Sequence, residues 1–322
     1  MLINELKTKV LQNIPITKAE AIALYEQPLE VLSVAANEIR IHFCGNGFDI
    51  CTIVNGKSGK CSEDCKFCAQ SSFYNTSTES YSFLDQHDLI EQAHYNQAQG
   101  VLRYSIVTSG RALNNTDLGY ACDVFRRIHS QVGIATCASF GLLNESQYRK
   151  LKSAGVTRIH NNLESSRNYF PNICTTHTYD DKLDSIHAAL NAGLNVCSGG
   201  LMGLGESIQD RIDMAFELRN LGIQSVPLNI LNPILGTPFE ALPLLTTEDI
   251  QRIVAVYRFI LPTASIRLAG GRGLLLDKGK SCFLSGANAA ISGDMLTTSG
   301  TTIKSDLALI EKLGYTPSLF NQ

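Results

Sequence analysis

The most specific pattern in the chain lies in the segment Lys57-Ser58-Gly59-Lys60-Cys61-Ser62-Glu63-Asp64-Cys65-Lys66-Phe67-Cys68-Ala69-Gln70-Ser71. It carries three cysteines, Cys61, Cys65 and Cys68, in a C-x3-C-x2-C spacing. Three thiolates on one short loop predict a metal site, and they suit an iron–sulfur cluster, since three protein ligands leave one iron of a four-iron cluster open for chemistry. A structural zinc site normally has four protein ligands, and no further Cys or His follows within several residues. A disulfide fits less well, because one of the three cysteines would stay unpaired.

At these residues the sequence resembles the radical S-adenosylmethionine enzymes, whose signature has this spacing with an aromatic residue, here Phe67, before the last cysteine. The surrounding residues 57–71 resemble the biotin synthases in particular, and the resemblance returns in segments along the chain. It implies a 4Fe-4S cluster on Cys61, Cys65 and Cys68 that chelates S-adenosylmethionine at its open iron. Reductive cleavage would then release methionine and a 5'-deoxyadenosyl radical.

Length and composition suit one large domain. The chain has 322 residues, of which 44% are apolar and 18% charged, and its formal net charge is −3. This near-balanced charge gives no electrostatic reason to expect nucleic acid or an anionic membrane as a partner. Ten cysteines without an apolar leader segment indicate a cytoplasmic, reducing location. No apolar stretch approaches the ~20 residues that a membrane helix requires.

The hydrophobic pattern predicts a barrel preceded by helices. Residues 1–40 have apolar spacings typical of helices, and we expect them to form an N-terminal helical segment ahead of a barrel domain at 41–322. Beyond Phe48, short β-branched runs alternate with helical ones. The runs lie at 50–54, 102–108, 134–138, 158–163, 194–198, 225–229, 264–269 and 289–292. Eight strands with helices between most of them predict an α/β fold, a parallel (β/α)8 barrel of the TIM type.

Such a barrel binds ligands at the carboxyl ends of its strands. The three-cysteine loop (residues 61–68) follows the first predicted strand, and polar residues follow others, among them Asn162, Glu164 and Asn229. The glycine-rich turn at 199–206 lacks the Lys-Ser/Thr of a P-loop, so a close backbone approach to a nucleoside is the more plausible function. Glycines and asparagines are also common as plain turn residues, and that alternative stays open.

The resemblance assigns these residues more specific roles. Residues 160–164 are similar to the family's Asn-His-Asn-Leu-Asp segment, which implies that Asn162 and Glu164 hold the cofactor ribose and the substrate. Lys182 stands where an arginine near the methionyl carboxylate is usual, and lysine can supply the charge without the bidentate fork. Gly203 is implied to lie near the cofactor, and Asn229 to face substrate or cofactor.

Biotin synthases also carry a second iron–sulfur cluster, whose usual ligands are three cysteines and an arginine. The resemblance identifies two of the cysteines as Cys137 and Cys197, and the arginine as Arg267. Ser105 stands in place of the third cysteine. Because a hydroxyl is a poor ligand for a soft metal, the usual 2Fe-2S arrangement cannot be assumed.

Other cysteines must then complete this auxiliary cluster. Cys51 lies on the first predicted strand, and an inward side chain there would meet Cys137 and Cys197 inside the barrel. Cys44 is the second candidate. Four thiolates suit a four-iron cluster better than a 2Fe-2S cluster, which stays the alternative, with Arg267 nearby as a charge partner. Three further cysteines, Cys122, Cys174 and Cys282, are predicted to be structural.

The function implied by the resemblance is the insertion of sulfur into dethiobiotin to form biotin, with S-adenosylmethionine as the radical source. A flavodoxin or ferredoxin type electron donor and a homodimer are implied as well. Ser105 favours an alternative, a related radical S-adenosylmethionine enzyme of the hydrogenase or pyrrolysine pathway type. A non-catalytic iron–sulfur or zinc binding module is a third possibility, which little in the sequence supports.

Overall fold

The computed structural model describes residues 1–298 and 300–320. The α-helices of this part are α1 (Leu2–Leu11), α2 (Lys18–Tyr25), α3 (Leu29–Cys44), α4 (Gln86–Ala98), α5 (Asn115–Gln131), α6 (Glu145–Ser153), α7 (Tyr179–Asn191), α8 (Ile208–Asn220), α9 (Thr247–Ile260), α10 (Lys280–Phe283) and α11 (Ile303–Lys312). The strands are β1 (Gly47–Lys57), β2 (Arg103–Thr108), β3 (Ala135–Ser139), β4 (Arg158–His160), β5 (Asn195–Cys197), β6 (Gly200–Met202), β7 (Ser225–Ile230), β8 (Ser265–Leu268), β9 (Ala289–Ser292) and β10 (Thr316–Pro317). None of the described helices combines the length and apolarity needed to cross a membrane.

The strands close into a parallel barrel. Strands β1, β2, β3, β4, β5, β7, β8 and β9 pair in this order, and β9 pairs back with β1. This confirms the predicted (β/α)8 barrel. Two short strands were not predicted: β6 lies just beyond β5 and pairs with β7, and β10 pairs with the first residues of β1.

Several barrel helices begin at residues whose side chains cap the helix. The side chains of Asn144, Thr178, Ser207 and Thr246 each accept a hydrogen bond from the backbone N–H three residues later, in reciprocal capping boxes. Such a cap stabilises a helix by about 1 kcal/mol and fixes where it starts. A barrel binds its ligands at the loops between strands and helices. The capping residues therefore set, from the local sequence, where these loops end.

Three helices precede the first barrel strand. Thr17 caps α2 through a capping box, which sets the start of the second helix. Helix α3 packs along α9 on the outside of the barrel and buries Leu32, Ala36 and Ile39. The helical segment extends to Cys44, beyond the predicted residue 40. Its separation from the barrel as a distinct unit stays a prediction.

Charged side chains fill the amino-terminal end of the barrel interior. We call Asp49, Arg103, Arg158 and Arg267 the barrel floor; all four are buried. Asp49 Oδ2 lies 3.0 Å from Arg267 Nη2 and 3.4 Å from Arg158 Nη1. Burial opposes ionisation of Asp49, but the charges of Arg267 and Arg158 outweigh it, and its pKa lies below the ordinary value. One carboxylate thus balances a group of buried arginines that belong to three different strands.

Removing that carboxylate should destabilise the barrel. In Asp49→Asn the arginines lose their buried counter-charge, and we expect a loss of about 3–5 kcal/mol in the free energy of unfolding. Asp123→Asn is the matched control, because Asp123 pairs with Arg126 on the exposed surface of α5 and should change stability by less than about 0.5 kcal/mol. Urea unfolding of the reduced chain measures both, and equal midpoints for the two variants would contradict this account of the floor.

Candidate functional site

A cavity of about 370 Å³ occupies the interior of the barrel above the floor. Side chains of a strand alternate between the two faces, so every second residue of each barrel strand points inward. The cavity wall follows this rule. It includes Cys51 and Ile53 of β1, Ser105 and Val107 of β2, and Cys137 and Ser139 of β3. Phe67 of the three-cysteine loop lines the same cavity, which therefore connects the loop with the interior of the barrel.

The three-cysteine loop follows β1 and is folded back on itself by backbone hydrogen bonds. The Cys61 N–H donates to the Gln70 carbonyl at 3.0 Å, and the Ser72 N–H donates to the Cys61 carbonyl at 2.8 Å. The chain enters the loop through Gly59, at φ +75°, where a Cβ would lie 2.8 Å from the Ser80 side chain. Only glycine fits that turn without strain. The local sequence thus fixes the direction in which the loop leaves the barrel.

Two carboxylates between the first two cysteines clamp the loop to the segment before α7. Asp64 accepts hydrogen bonds from the backbone N–H groups of Thr175 at 2.8 Å and Thr176 at 3.1 Å. Glu63 accepts from the Thr176 hydroxyl at 2.9 Å, and its Oε2 lies 2.6 Å from His177 Nδ1. Burial opposes ionisation of Asp64, but the hydrogen bonds from Thr175 outweigh it and hold its pKa well below the usual range. Sequence reasoning missed this clamp, although two adjacent acids within the C-x3-C-x2-C pattern were a visible signal.

The pKa values of all three thiols in the loop are raised. Burial, together with the charges of Cys61 and Glu164, raises the pKa of the Cys68 thiol to about 11. The pKa of Cys65 is also raised, first by its side-chain hydrogen bond with Cys174 and then by burial. A bound cation reverses such shifts, because thiolates are the form that metals bind. Three clustered thiols in a partly buried loop therefore fit an iron–sulfur cluster.

Two of the predicted cofactor-binding residues combine a structural role with a place on the cavity wall. Asn162 accepts a hydrogen bond from the Gly199 N–H at 3.1 Å and donates to Glu164 at 3.3 Å. Asn229 donates to the Gly200 carbonyl at 3.2 Å and accepts from the Gly270 N–H at 3.0 Å. Each asparagine thus ties neighbouring strand ends together, and both line the cavity.

Glu164 and Lys182 bring opposite charges to the same wall. Glu164 has φ +68°, a left-handed conformation that is strained for a residue with a side chain and is often found at functional sites. Lys182 Nζ lies 3.5 Å from Asn161 Oδ1, and its charge acts on the Cys65 thiol. Both residues therefore lie between the three-cysteine loop and the barrel interior. A ligand that reaches from the loop into the barrel would contact both of them.

The place of Gly203 near the cofactor stays a prediction. This residue is not among those that line the cavity, and its N–H donates at 3.0 Å to the carboxylate of Glu206. The Leu204 N–H donates to the same carboxylate at 2.7 Å, so Glu206 holds the turn in its shape. The cavity instead receives Leu201, two residues earlier in the turn.

The lower part of the cavity brings three cysteines together. Cys51, Cys137 and Cys197 come from β1, β3 and β5, and all three line the cavity and are buried. Arg267 Nη1 donates to Cys51 Sγ at 3.1 Å, which connects the thiols with the barrel floor. Ser105 pairs with Cys137 in the β2–β3 register and lines the cavity beside it. The donor set is therefore three soft thiols with an arginine and a serine alongside.

These three thiols differ in how readily they ionise. Burial opposes ionisation of Cys197, but the hydrogen bond with His160 and the charge of Arg267 outweigh it and lower its pKa to about 6. Burial raises the pKa of Cys137 to about 12. Burial also raises the pKa of Cys51, despite the opposing charge of Arg267. The surroundings of these thiols are positively charged, and the pKa of one thiol, Cys197, is lowered. Such a site fits an anionic group that is bound by thiolates.

Cys44 does not belong to this set, contrary to the prediction. It is the last residue of α3, which lies outside the barrel. Its Sγ is 3.8 Å from the Pro262 carbonyl oxygen and 3.5 Å from Arg258 Nη1. Cys44 precedes β1 by only a few residues, but the helix ends outside the sheet and the turn after it reverses the chain before the strand begins.

Comparison with known proteins first defines a class. Residues 57–218 match the Radical SAM superfamily, and residues 227–316 match the Biotin and Thiamin Synthesis associated domain. The fold is similar to that of methylornithine synthase (PylB), with a TM-score of 0.85 at 18% identity, covering 98% of this chain and 97% of that chain. The hydrogenase maturase HydG from Carboxydothermus hydrogenoformans has a TM-score of 0.83 at 16% identity, covering 99% of this chain and 80% of that chain. The chain is thus a radical S-adenosylmethionine barrel.

Sequence relatives then define the family. The biotin synthase of Brachyspira hyodysenteriae is 58% identical over 313 residues, which cover 97% of this chain and 94% of the relative. The biotin synthase of Akkermansia muciniphila is 55% identical and covers 98% of both chains. The chain belongs to the biotin synthase family.

Proposed function

We propose that the chain is a biotin synthase that inserts sulfur into dethiobiotin with S-adenosylmethionine as the radical source. The observation that carries this proposal is the identity of 58% and 55% to named biotin synthases over nearly the whole chain. The maturation enzymes weighed as an alternative share the fold at only 18% and 16% identity, which supports the barrel and not the substrate. We therefore do not favour that alternative.

Cys61, Cys65 and Cys68 would hold the 4Fe-4S cluster of the family. When bound, that cluster supplies the electron for reductive cleavage of S-adenosylmethionine. The protein has to position the loop and keep water away from it. The clamp formed by Glu63 and Asp64 supports the first task, since it fixes the backbone between the first two cysteines before any metal arrives.

Polar residues of the cavity wall would position S-adenosylmethionine and the substrate. The ammonium of Lys182 would pair with a carboxylate of the cofactor, and the carboxylate of Glu164 would accept hydrogen bonds from ribose hydroxyls. Asn162 and Asn229 are held by backbone bonds from neighbouring strand ends, so their remaining polar capacity faces the cavity in a fixed orientation. The volume of about 370 Å³ lies in the range of pockets that enclose small molecules.

Cys51, Cys137 and Cys197 would hold the second, auxiliary cluster. With Cys44 outside the barrel, three thiolates remain, the number that the upper loop also offers to a four-iron cluster. Arg267 is engaged by the carbonyls of Asp49 and Ala290 at 2.9 and 3.0 Å, besides Cys51. We therefore assign Arg267 the role of a donor that stabilises the Cys51 thiolate, and we retain a four-iron cluster over the two-iron alternative.

The proposed electron donor and oligomeric state rest on the family, and the proposed location rests on the cysteines. A flavodoxin or ferredoxin type protein would supply the electron, and the active form would be a homodimer. All ten cysteines are free thiols, which suits a cytoplasmic location with its reducing environment.

The proposed function predicts an assay result. Anaerobically reconstituted chain, given S-adenosylmethionine, dethiobiotin and a strong reductant, should form biotin and 5'-deoxyadenosine, both measured by mass spectrometry. Cys65→Ala should form neither, because a ligand of the radical cluster is lost, while circular dichroism should show the barrel intact. Formation of 5'-deoxyadenosine without any biotin would refute the assigned substrate. Wild-type amounts of 5'-deoxyadenosine from Cys65→Ala would refute the assigned ligand.

The proposed auxiliary site predicts different effects on iron content for the replacement of Cys51 and of Cys44, which lie close together in the sequence. Cys51→Ala should lower iron and sulfide to the content of one cluster and abolish biotin formation, because it removes a thiolate from the lower cavity. It should still cleave S-adenosylmethionine. Cys44→Ala should retain full iron content and biotin formation, because Cys44 lies outside the barrel. Metal and sulfide counting on both reconstituted variants is the measurement, and unchanged iron in Cys51→Ala would remove that residue from the ligand set.

A further inference from the structure

A second group of metal-ligating atoms lies behind the three-cysteine loop. The Sγ atoms of Cys65 and Cys174 and a ring nitrogen of His177 all lie within 4.8 Å of one another. Cys174 Sγ is 3.2 Å from His177 Nδ1, and both residues are buried. The sequence predicted Cys174 to be structural, and the proposed function uses neither Cys174 nor His177.

This group has the donor chemistry of a zinc site. Two thiolates and an imidazole are common zinc ligands, at about 2.3 Å for sulfur and about 2.0–2.1 Å for nitrogen in a tetrahedron. Ligand atoms of such a tetrahedron lie roughly 3.3–3.8 Å apart, a spacing that fits inside the 4.8 Å limit of the group. The three-cysteine loop by itself offers three thiols and no imidazole, so its donor set differs from that of this group.

Carboxylates are available as a fourth ligand. Asp64 Oδ1 lies 3.1 Å from Cys174 Sγ, and Glu63 Oε2 lies 2.6 Å from His177 Nδ1. Both acids already belong to the clamp that joins the loop to residues 175–177, so their carboxylates already lie beside the cysteine and histidine ligands. A closed set of four protein ligands is typical of structural zinc sites.

The imidazole is directed toward this group through one ring nitrogen. His177 is 6% exposed, and its Nε2 atom has no hydrogen-bond partner among residues 1–298 and 300–320. The polar contacts of the ring are therefore made by Nδ1, which faces Glu63 and Cys174. Phe170 packs edge-on against the ring, with centroids 5.6 Å apart, and limits its rotation.

We propose that the chain without its iron–sulfur cluster binds Zn²⁺ through Cys65, Cys174 and His177, with a carboxylate of Asp64 or Glu63 completing the site. Zinc binds the thiolate form of both cysteines, so any thiol that is protonated in the free chain releases its proton to solvent on binding. Since Cys65 is also assigned to the radical cluster, zinc and that cluster exclude each other, a consequence that rests on the proposed function. Zinc bound here keeps the chain from assembling its cluster.

Metal titration of the reduced, cluster-free chain under anaerobic conditions tests the site. Co²⁺ should give the near-ultraviolet absorption of thiolate ligation, and Zn²⁺ should displace it, with affinities measured against a chromophoric chelator. Cys174→Ala and His177→Ala should each weaken Zn²⁺ binding at least about 10-fold, the lower limit seen for groups that only support a metal ligand. Two variants guard against a fold defect in one of them, and circular dichroism checks both.

Cys68→Ala separates this site from the three-cysteine loop. Cys68 lies outside the proposed zinc ligands, so this variant should bind Zn²⁺ as the wild type does but fail to assemble the radical cluster. Cys174→Ala should behave in the opposite way, and Cys65→Ala should lose both. Zinc affinity that falls in Cys68→Ala and stays unchanged in Cys174→Ala and His177→Ala would overturn the proposal. Cluster assembly that survives in Cys65→Ala would overturn the proposed function instead, so the two failures are distinguishable.

Discussion

The buried ion pairs of Asp49 are the interaction on which the lower half of the barrel depends. Three arginines inside a closed barrel would be costly to bury, and Asp49 supplies the counter-charge to two of them directly. Arg267, held in this way, donates to Cys51. The barrel floor therefore affects the cavity above it in two ways. It fixes the direction in which Arg267 donates, and it keeps the surroundings of Cys51, Cys137 and Cys197 positively charged.

The alternation of strand side chains places the two proposed metal centres at two depths of one cavity. The three-cysteine loop leaves β1 at its carboxyl end, whereas Cys51 points inward from the middle of the same strand. Glu164, Lys182 and Asn229 line the wall between these levels. In the proposed function, a substrate bound there would lie between the two metal centres.

Much of this could be predicted from the sequence, because strand period and cysteine spacing are local signals. The eight barrel strands follow from the strand pattern, whereas Cys137 and Cys197 were assigned by the resemblance to biotin synthases. The position of Cys44 was not predicted, because the helical segment was expected to end at residue 40, whereas α3 continues to Cys44 and ends at Gly45, which has φ +58°. Nor was the role of Cys174, whose contact with Asp64 spans 110 residues of sequence. The hydrogen bonds of the Gly203 turn could not be predicted either, because its contact with the Glu206 carboxylate forms only when the turn is folded.

The proposed ligand sets require two different clusters in one barrel, of which only the upper one contacts S-adenosylmethionine. Mössbauer spectroscopy of the chain reconstituted anaerobically with iron-57, recorded with and without S-adenosylmethionine, can distinguish the two clusters. We expect two cluster populations, one changed by the cofactor and one left unchanged. A single population that shifts as a whole when S-adenosylmethionine binds would contradict this expectation.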